Sequence, residues 1–355
     1  MKSALTQYGF LNAKLRARMA NLDESHIIDK MLDAPTLIQA IEVLRENPDY
    51  KKIATIYDES GDIQLIEKSL VDNEVGMRKE LSKYLEDYAK DFSDLLIMKL
   101  EINNLKNIIR IWYDNILLGG NVGYRMNYVI KYKILNDIPW EALINAVNWE
   151  EIIKALKDTC YFEAVNRHSS EDIRKNGLVY FEMEMDVDYY KKLLDSLKHM
   201  SKRDRMVATD VLGVDLNIKN ILNIIRYGKY YDIPHEKLYS LLLPGGSLYD
   251  SPNFKKSFKN KNVEEFLIKR FSKYDLESIM EATDKSELLR RSLKLEKELA
   301  EHRKNVYKKI LRGYPFTIGL IMAYCFVYEK FNNSIQVILN GKYYGWDRDR
   351  IMEVV

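Results

Sequence analysis

Several short stretches of this chain carry part of a chemical motif. His235-Glu236 begins like a zinc-peptidase helix, but HExxH needs a second histidine where Tyr239 stands. Gly228-Lys229 and Gly341-Lys342 carry the glycine-lysine pair of a phosphate loop, yet Tyr follows each pair and no upstream glycine completes GxxxxGK[ST]. The five histidines (His26, His168, His199, His235, His302) are scattered. The two cysteines, Cys160 and Cys325, form no CxxC, so no spacing matches a zinc site or a disulfide framework. No Asp-Asp pair supplies the DDxxD of an all-helical terpenoid synthase. The acids Glu182, Glu184, Asp186 and Asp188 read as an exposed first helical turn, where the helix dipole favours negative charge, rather than as a metal site. The residues point to a non-enzyme, with no catalytic residue, metal or cofactor implied.

What does repeat is structural in type. Asn104-Leu105-Lys106-Asn107-Ile108-Ile109-Arg110 recurs as Asn220-Ile221-Leu222-Asn223-Ile224-Ile225-Arg226, and in weaker form as Asn333-Ser334-Ile335-Gln336-Val337-Ile338-Leu339. The starts lie 116 and 113 residues apart. A second element shares that period. Asp33-Ala34-Pro35-Thr36-Leu37-Ile38, Asn148-Trp149-Glu150-Glu151-Ile152-Ile153 and Asn262-Val263-Glu264-Glu265-Phe266-Leu267 each set a capping Asp or Asn before a helix, with two apolar residues at plus four and plus five. An acid at plus three completes the capping-box pattern in the second and third copies, and Pro35 opens the first. Two elements in fixed order indicate an internal triplication: helical repeats at 1–120, 121–235 and 236–355, too long for solenoid units of roughly 20–50 residues. Three subdomains about a pseudo-threefold axis are expected. Asn104, Arg110, Asn220, Arg226 and Asn333 are the candidate interface residues, set against the simpler reading that they orient contacts between subdomains.

The elements around them read as helix almost throughout. Leu5, Tyr8, Leu11 and Leu15 form one face of an opening helix over 3–19, and 22–31 is a short second helix. A long helical region is expected over 64–112, another over 181–200, and the longest over 284–311. The last has Leu288, Leu295, Leu299, Val306 and Ile310 near heptad spacing, read as a helix packed in its own domain rather than an intermolecular coiled coil. The chain has 355 residues, 46% hydrophobic and 30% charged, enough for a large core. Lys+Arg 55 against Asp+Glu 53 leaves +2, which argues against a nucleic-acid binder. The cysteine usage fits a reducing cytoplasm. The N-terminus lacks the apolar core of a signal peptide. The longest apolar run, 315–328, falls short of the roughly 20 residues that span a bilayer, so work at a membrane would be done from beside it.

Further motifs carry a family resemblance. They are Tyr8-Gly9-Phe10-Leu11-Asn12-Ala13-Lys14-Leu15-Arg16-Ala17, the Asn104–Arg110 segment, Phe181-Glu182-Met183-Glu184 with Asp188-Tyr189-Tyr190, and Asp215-Leu216-Asn217-Ile218-Lys219-Asn220. Leu242-Leu243-Pro244-Gly245-Gly246, Pro315-Phe316-Thr317-Ile318-Gly319, Ala323-Tyr324, Glu329 and Gly341-Lys342 complete the set. In this order, over the whole chain, they resemble the C-type subunit of bacterial and archaeal V-type (A-type) ATPases, the counterpart of the d-type subunit of eukaryotic V-ATPases. One departure is Asn333-Ser334-Ile335-Gln336, where the family tends to Asn-Leu-Arg.

The resemblance implies an all-α funnel of three similar subdomains and a non-catalytic role. Such a protein sits on the cytoplasmic mouth of the membrane rotor ring and receives the central stalk, with D- and F-type stalk subunits and ring subunits as partners. It couples ATP turnover to H+ or Na+ transport. One copy per complex, a monomer in isolation and a peripheral position on the membrane follow. The competing reading is a helical scaffold or adaptor unrelated to a rotary motor.

Overall fold

The computed structural model describes residues 3–21, 24–231 and 233–355, and these residues form helices and connections without a strand. The first six helices are α1 (Ala4–Asn21), α2 (Glu24–Asp33), α3 (Leu37–Arg45), α4 (Lys51–Ser60), α5 (Ile63–Ser82) and α6 (Asp87–Trp112). The last runs into a π-helical turn, Tyr113–Leu117, and a 3-10 turn follows at Gly123–Tyr128. Short helices come next: α7 (Trp140–Ile144), α8 (Trp149–Ala155), α9 (Phe162–Asn166) and α10 (Ser170–Asn176). The longer α11 (Val179–Ser196) and α12 (Lys202–Asn223) lead into a second π segment, Ile224–Tyr230. Then come α13 (His235–Ser240), α14 (Gly246–Tyr249), α15 (Pro252–Lys259), α16 (Val263–Arg270), α17 (Leu276–Met280), α18 (Lys285–Arg312), α19 (Ile318–Tyr343) and α20 (Arg348–Val354).

The chain packs as two units, one of residues 1–162 and 320–355, the other of residues 163–319. The repeat boundaries read from sequence cut the chain differently: the second repeat crosses from the first unit into the second, and the third crosses back.

Local chemistry sets the helix starts. Asp62 accepts from the Gln64 amide before α5, Ser201 from the Asp204 amide before α12, and Asp284 from the Ser286 and Glu287 amides before α18. Asn148 caps α8 as its repeat position suggests, accepting from the Glu151 amide at 2.9 Å. Its two counterparts do not. Asp33 is the last residue of α2, and Thr36 caps α3 in its place. Asn262 precedes α16 but makes no side-chain cap bond. The region 64–112 is two helices rather than one. Residues 83–86 turn between α5 and α6, and Asp87 takes a positive φ of 48°. The second helix begins at Glu24; Leu22, where sequence placed its start, lies outside the described residues.

In the first unit Tyr8, Leu11 and Leu15 bury one face of α1, while Leu5, expected on that face, is exposed. Trp112 donates from Nε1 to the Ala146 carbonyl at 2.8 Å and its ring lies 5.9 Å from that of Trp149, which ties the end of α6 to α8. Buried Arg78 donates to Glu74, to the Leu96 carbonyl at 2.8 Å and to Glu329 at 3.3 Å. Burial pushes the Glu74 carboxyl up, and the charge of Arg78 opposes that shift. In the second unit Phe254, Leu238, Leu267 and Leu276 join Leu288, Leu295 and Leu299 of α18 in one core, so the first three residues of that heptad-like stripe are spent within its own unit, while Val306 and Ile310 are half-buried.

The two thiols differ sharply. Cys160 is exposed, whereas Cys325 is buried on α19 and burial pushes its thiol up to about 11. Since thiolate is the reactive form, Ellman's reagent at pH 8 is expected to titrate one thiol in the native chain and two after denaturation.

Candidate functional site

The repeated asparagines perform the same task twice. Asn104 faces inward from α6, 9% exposed. Its Nδ2 donates to the Ile130 carbonyl at 2.9 Å and its Oδ1 accepts from the Ile130 amide at 2.9 Å. Asn220 faces inward from α12, 0% exposed, and pairs in the same way with the carbonyl and amide of Leu243, both at 2.9 Å. A carboxamide offers one donor and one acceptor side by side, so it can satisfy both groups of one peptide residue that runs outside regular structure.

A second rung lies one helical turn earlier. Glu101, fully buried, accepts from the Leu135 and Asn136 amides at 2.8 Å, from Asn136 Nδ2 at 2.7 Å and from the Tyr161 hydroxyl at 2.7 Å. Asn217 accepts from the Leu248 amide at 2.9 Å and donates to Ser247 Oγ at 3.0 Å. Leu135 stands five residues after Ile130, and Leu248 five after Leu243. Each helix thus holds its following loop at two points of matching spacing.

The loop in the second unit needs glycine to approach α12. Gly246 has φ of 80°, and a Cβ there would stand 2.7 Å from Asn217 Oδ1 and 2.9 Å from the Gly213 carbonyl. Gly213, inside α12, presents its carbonyl to Gly246, and a Cβ on Gly213 itself would stand an ordinary 3.8 Å from Gly246 Cα. Neighbouring motif residues act similarly. Asp204 accepts from the Ile318 amide at 2.8 Å, and a Cβ on Gly319 would stand 2.5 Å from Val207. A Cβ on Gly341 would meet Ile351 of α20 at 2.5 Å, while Lys342 donates to the Leu32 carbonyl at 3.1 Å.

The other candidates do not join these clamps. Arg110 and Arg226 are exposed, past the point where each helix makes its rung. Asn333 is exposed as well. In α19 the buried Ile335, Ile338 and Leu339 match Leu105, Ile108 and Ile109, which puts Ser334, one residue later, at the place of Asn104 and Asn220. The buried amide there belongs to Asn332, which accepts from the Tyr50 hydroxyl at 2.9 Å and donates to the Leu70 carbonyl at 3.3 Å. Sequence reasoning missed Glu101 and Asn217 because the two residue types differ. The available signal was their shared place three residues before a repeated asparagine.

The acidic stretch is not a bare first turn. Only Glu182 sits in the first turn of α11. Glu184 pairs with Arg167 at 3.4 Å, His168 at 3.3 Å and Lys237 at 3.9 Å, and Asp188 pairs with Arg167. Burial lowers the His168 pKa while Glu184 opposes it. The Lys229 of the glycine-lysine pair is engaged with Glu264 at 3.2 Å. Among the described residues no three His, Cys, Asp or Glu side chains gather as a metal site, and no helix is long and apolar enough to cross a membrane.

Replacing a clamp asparagine orphans a buried amide and a buried carbonyl, each worth about 1–3 kcal/mol. Asn104→Ala and Asn220→Ala are each expected to lower the melting temperature by about 5 °C or more. Arg226→Ala, at an exposed position, should stay within about 2 °C in the same scan. Gly246→Ala adds backbone strain and a clash, and is expected to cost roughly 2–4 kcal/mol in a denaturant titration.

Over residues 11–354 the chain matches the family described as ATP synthase (C/AC39) subunit. It is similar to the C-type subunit of the A-type ATP synthase of Pyrococcus abyssi, 22% identical over 99% of this chain and 90% of that one. The protein of the same name from Methanocaldococcus jannaschii is 21% identical over 95% of this chain and 83% of its own length. The corresponding match in Pyrococcus horikoshii is 25% identical but covers 68% of this chain and 62% of that protein. A family match across nearly the whole length, with its motif residues placed at the clamps and close helix approaches, settles membership: the chain belongs to the ATP synthase (C/AC39) subunit family.

Proposed function

We propose that this chain is a non-catalytic central-rotor component of a V-type (A-type) ATPase or ATP synthase. It joins the central stalk to the membrane rotor ring and couples ATP turnover to H+ or Na+ transport. The observation that carries this reading is the family match over residues 11–354, together with relatives named as the C-type subunit of A-type ATP synthases. D- and F-type stalk subunits and the ring subunits are the partners, and the chain lies at the cytoplasmic face as a peripheral part of the membrane complex, one copy in each.

The geometry supports this reading in two ways. First, three buried polar residues hold backbone: Glu101 on a loop, Asp204 at the start of α19, Arg78 on the Leu96 carbonyl. A coupling protein needs such a braced body. Second, the paired clamps at Asn104 and Asn220 support an internal repetition, for which we keep the division 1–120, 121–235 and 236–355. Repetition gives one chain several similar faces toward a partner that is itself built from repeated subunits. Asn104 and Asn220 lie inside those faces as supports, and the exposed Arg110, Arg226 and Asn333 are their candidate contact residues.

The test is recovery of the tagged chain from detergent-solubilised membranes of its own host. ATPase head, stalk and ring subunits are expected to come with it. Soluble partners alone, with the chain absent from membranes, would overturn the rotor reading in favour of a scaffold.

A further inference from the structure

Helix α18 buries one apolar stripe in its own unit and leaves a second uncovered. Lys285, Leu289, Leu293 and Lys297 follow one another at four-residue spacing, and so lie along one ridge of the helix surface. Leu289 is 55% and Leu293 45% exposed. The ridge continues onto the π segment that follows α12. The Lys285 ammonium stands 4.8 Å from the ring of Tyr230, which lies 5.1 Å from the ring of Tyr231, itself 52% exposed. Tyrosine pairs in this chain therefore divide: Tyr189 and Tyr190 are core, whereas Tyr230 and Tyr231 face outward.

The charge around this ridge is predominantly basic. Residues 163–319 hold 30 Lys and Arg against 24 Asp and Glu, or +6, while the rest of the chain holds 25 against 29, or −4. Helix α18 alone carries ten cations and four acids. Exposed Arg290 and Lys294 flank the leucines on one side and exposed Glu296 lies on the other; Glu298 and Glu301, also exposed, follow C-terminal to the leucines, and Glu287 is taken up by Arg291. We propose that the Tyr230–Tyr231–Leu289–Leu293 ridge docks an amphipathic helix of a partner protein in the complex, one with an aliphatic stripe flanked by Asp and Glu.

Charge complementarity selects the acidic flanks, and the aromatic and leucine content suits the centre of an interface. A lipid surface fits less well. A helix lying on a membrane sinks its apolar face roughly 5–10 Å into the headgroup boundary. The main apolar face of α18, with Leu288, Leu295 and Leu299, is already spent in the core. What remains is two leucines bracketed by lysines, about 18 Å end to end at 1.5 Å per residue, or some three turns of a partner helix.

This inference rests on the rotor role proposed above, and its experiment separates the two. A photo-crosslinking residue replaces Leu293 in the full chain, the membrane complex is purified and irradiated, and the crosslinked peptide is mapped. A peptide of a different protein of the complex, with apolar residues at three- and four-residue spacing and flanking acids, is the expected result. A crosslink to lipid, to a second copy of this chain, or none at all overturns the docking face. In parallel, Leu289→Asp with Leu293→Asp, and separately Lys285→Glu with Arg290→Glu, should leave the melting temperature of the isolated chain within about 2 °C. Each pair should lower retention in the complex by about tenfold or more as salt is raised. Unchanged retention of both variants overturns the docking face while the rotor role stands. A wild-type chain that brings down no membrane ATPase subunits overturns both.

Discussion

A loop that runs buried against a helix must find partners for its amides and carbonyls, or lose more stability than packing can return. In this chain one asparagine side chain meets that demand, and the chain does it twice. Asn104 pairs with Ile130 and Asn220 with Leu243 by the same two bonds. The second rungs at Glu101 and Asn217 fix the direction in which each loop leaves. With two points held, the loop cannot slide along its helix, and the helices that follow it start from a set place. In the first unit, Tyr161 is drawn to the Glu101 carboxylate, and burial with that charge beside it pushes its hydroxyl pKa up. In the second, Gly246 lies against α12, where a Cβ of its own would collide with Asn217 and the Gly213 carbonyl.

Sequence made some of this legible. The all-helical class followed from periodicity, and the two asparagines stood out because type and spacing were both kept. The α18 stripe at Leu288, Leu295 and Leu299 also read directly as core. Other features were hidden for physical reasons. Glu101 and Asn217 share a place but not a residue type, since a carboxylate and a carboxamide oxygen can both accept from a loop amide. The loops they hold differ in length by three residues, which breaks the match between the copies. In α19 a serine stands at the asparagine position, and the eye is drawn instead to Asn333, one residue early and exposed. Asp33 looked like a cap by its type, but Thr36 sits closer to where the helix can begin after Pro35. The break at residues 83–86 had no Gly or Pro to mark it, and Asp87 bears the positive φ itself.

Three buried polar residues brace the architecture. Buried Arg78, Glu101 and Asp204 each join distant stretches of chain by accepting from or donating to backbone. Such bracing suits the coupling role proposed above for this member of the ATP synthase (C/AC39) subunit family. Surface character differs between the units, one net basic and one net acidic. Such polarity orients a protein among charged neighbours before close contact is made.

The most direct test of the coupling role is reconstitution. Membrane vesicles bearing the host's ATPase but depleted of this chain would be assayed for ATP-driven ion uptake before and after the purified chain is added back. Restored uptake, with no ATP hydrolysis by the chain alone, is the outcome expected of a coupling protein. Uptake that is already full without the chain, or that never returns with it, would contradict that role.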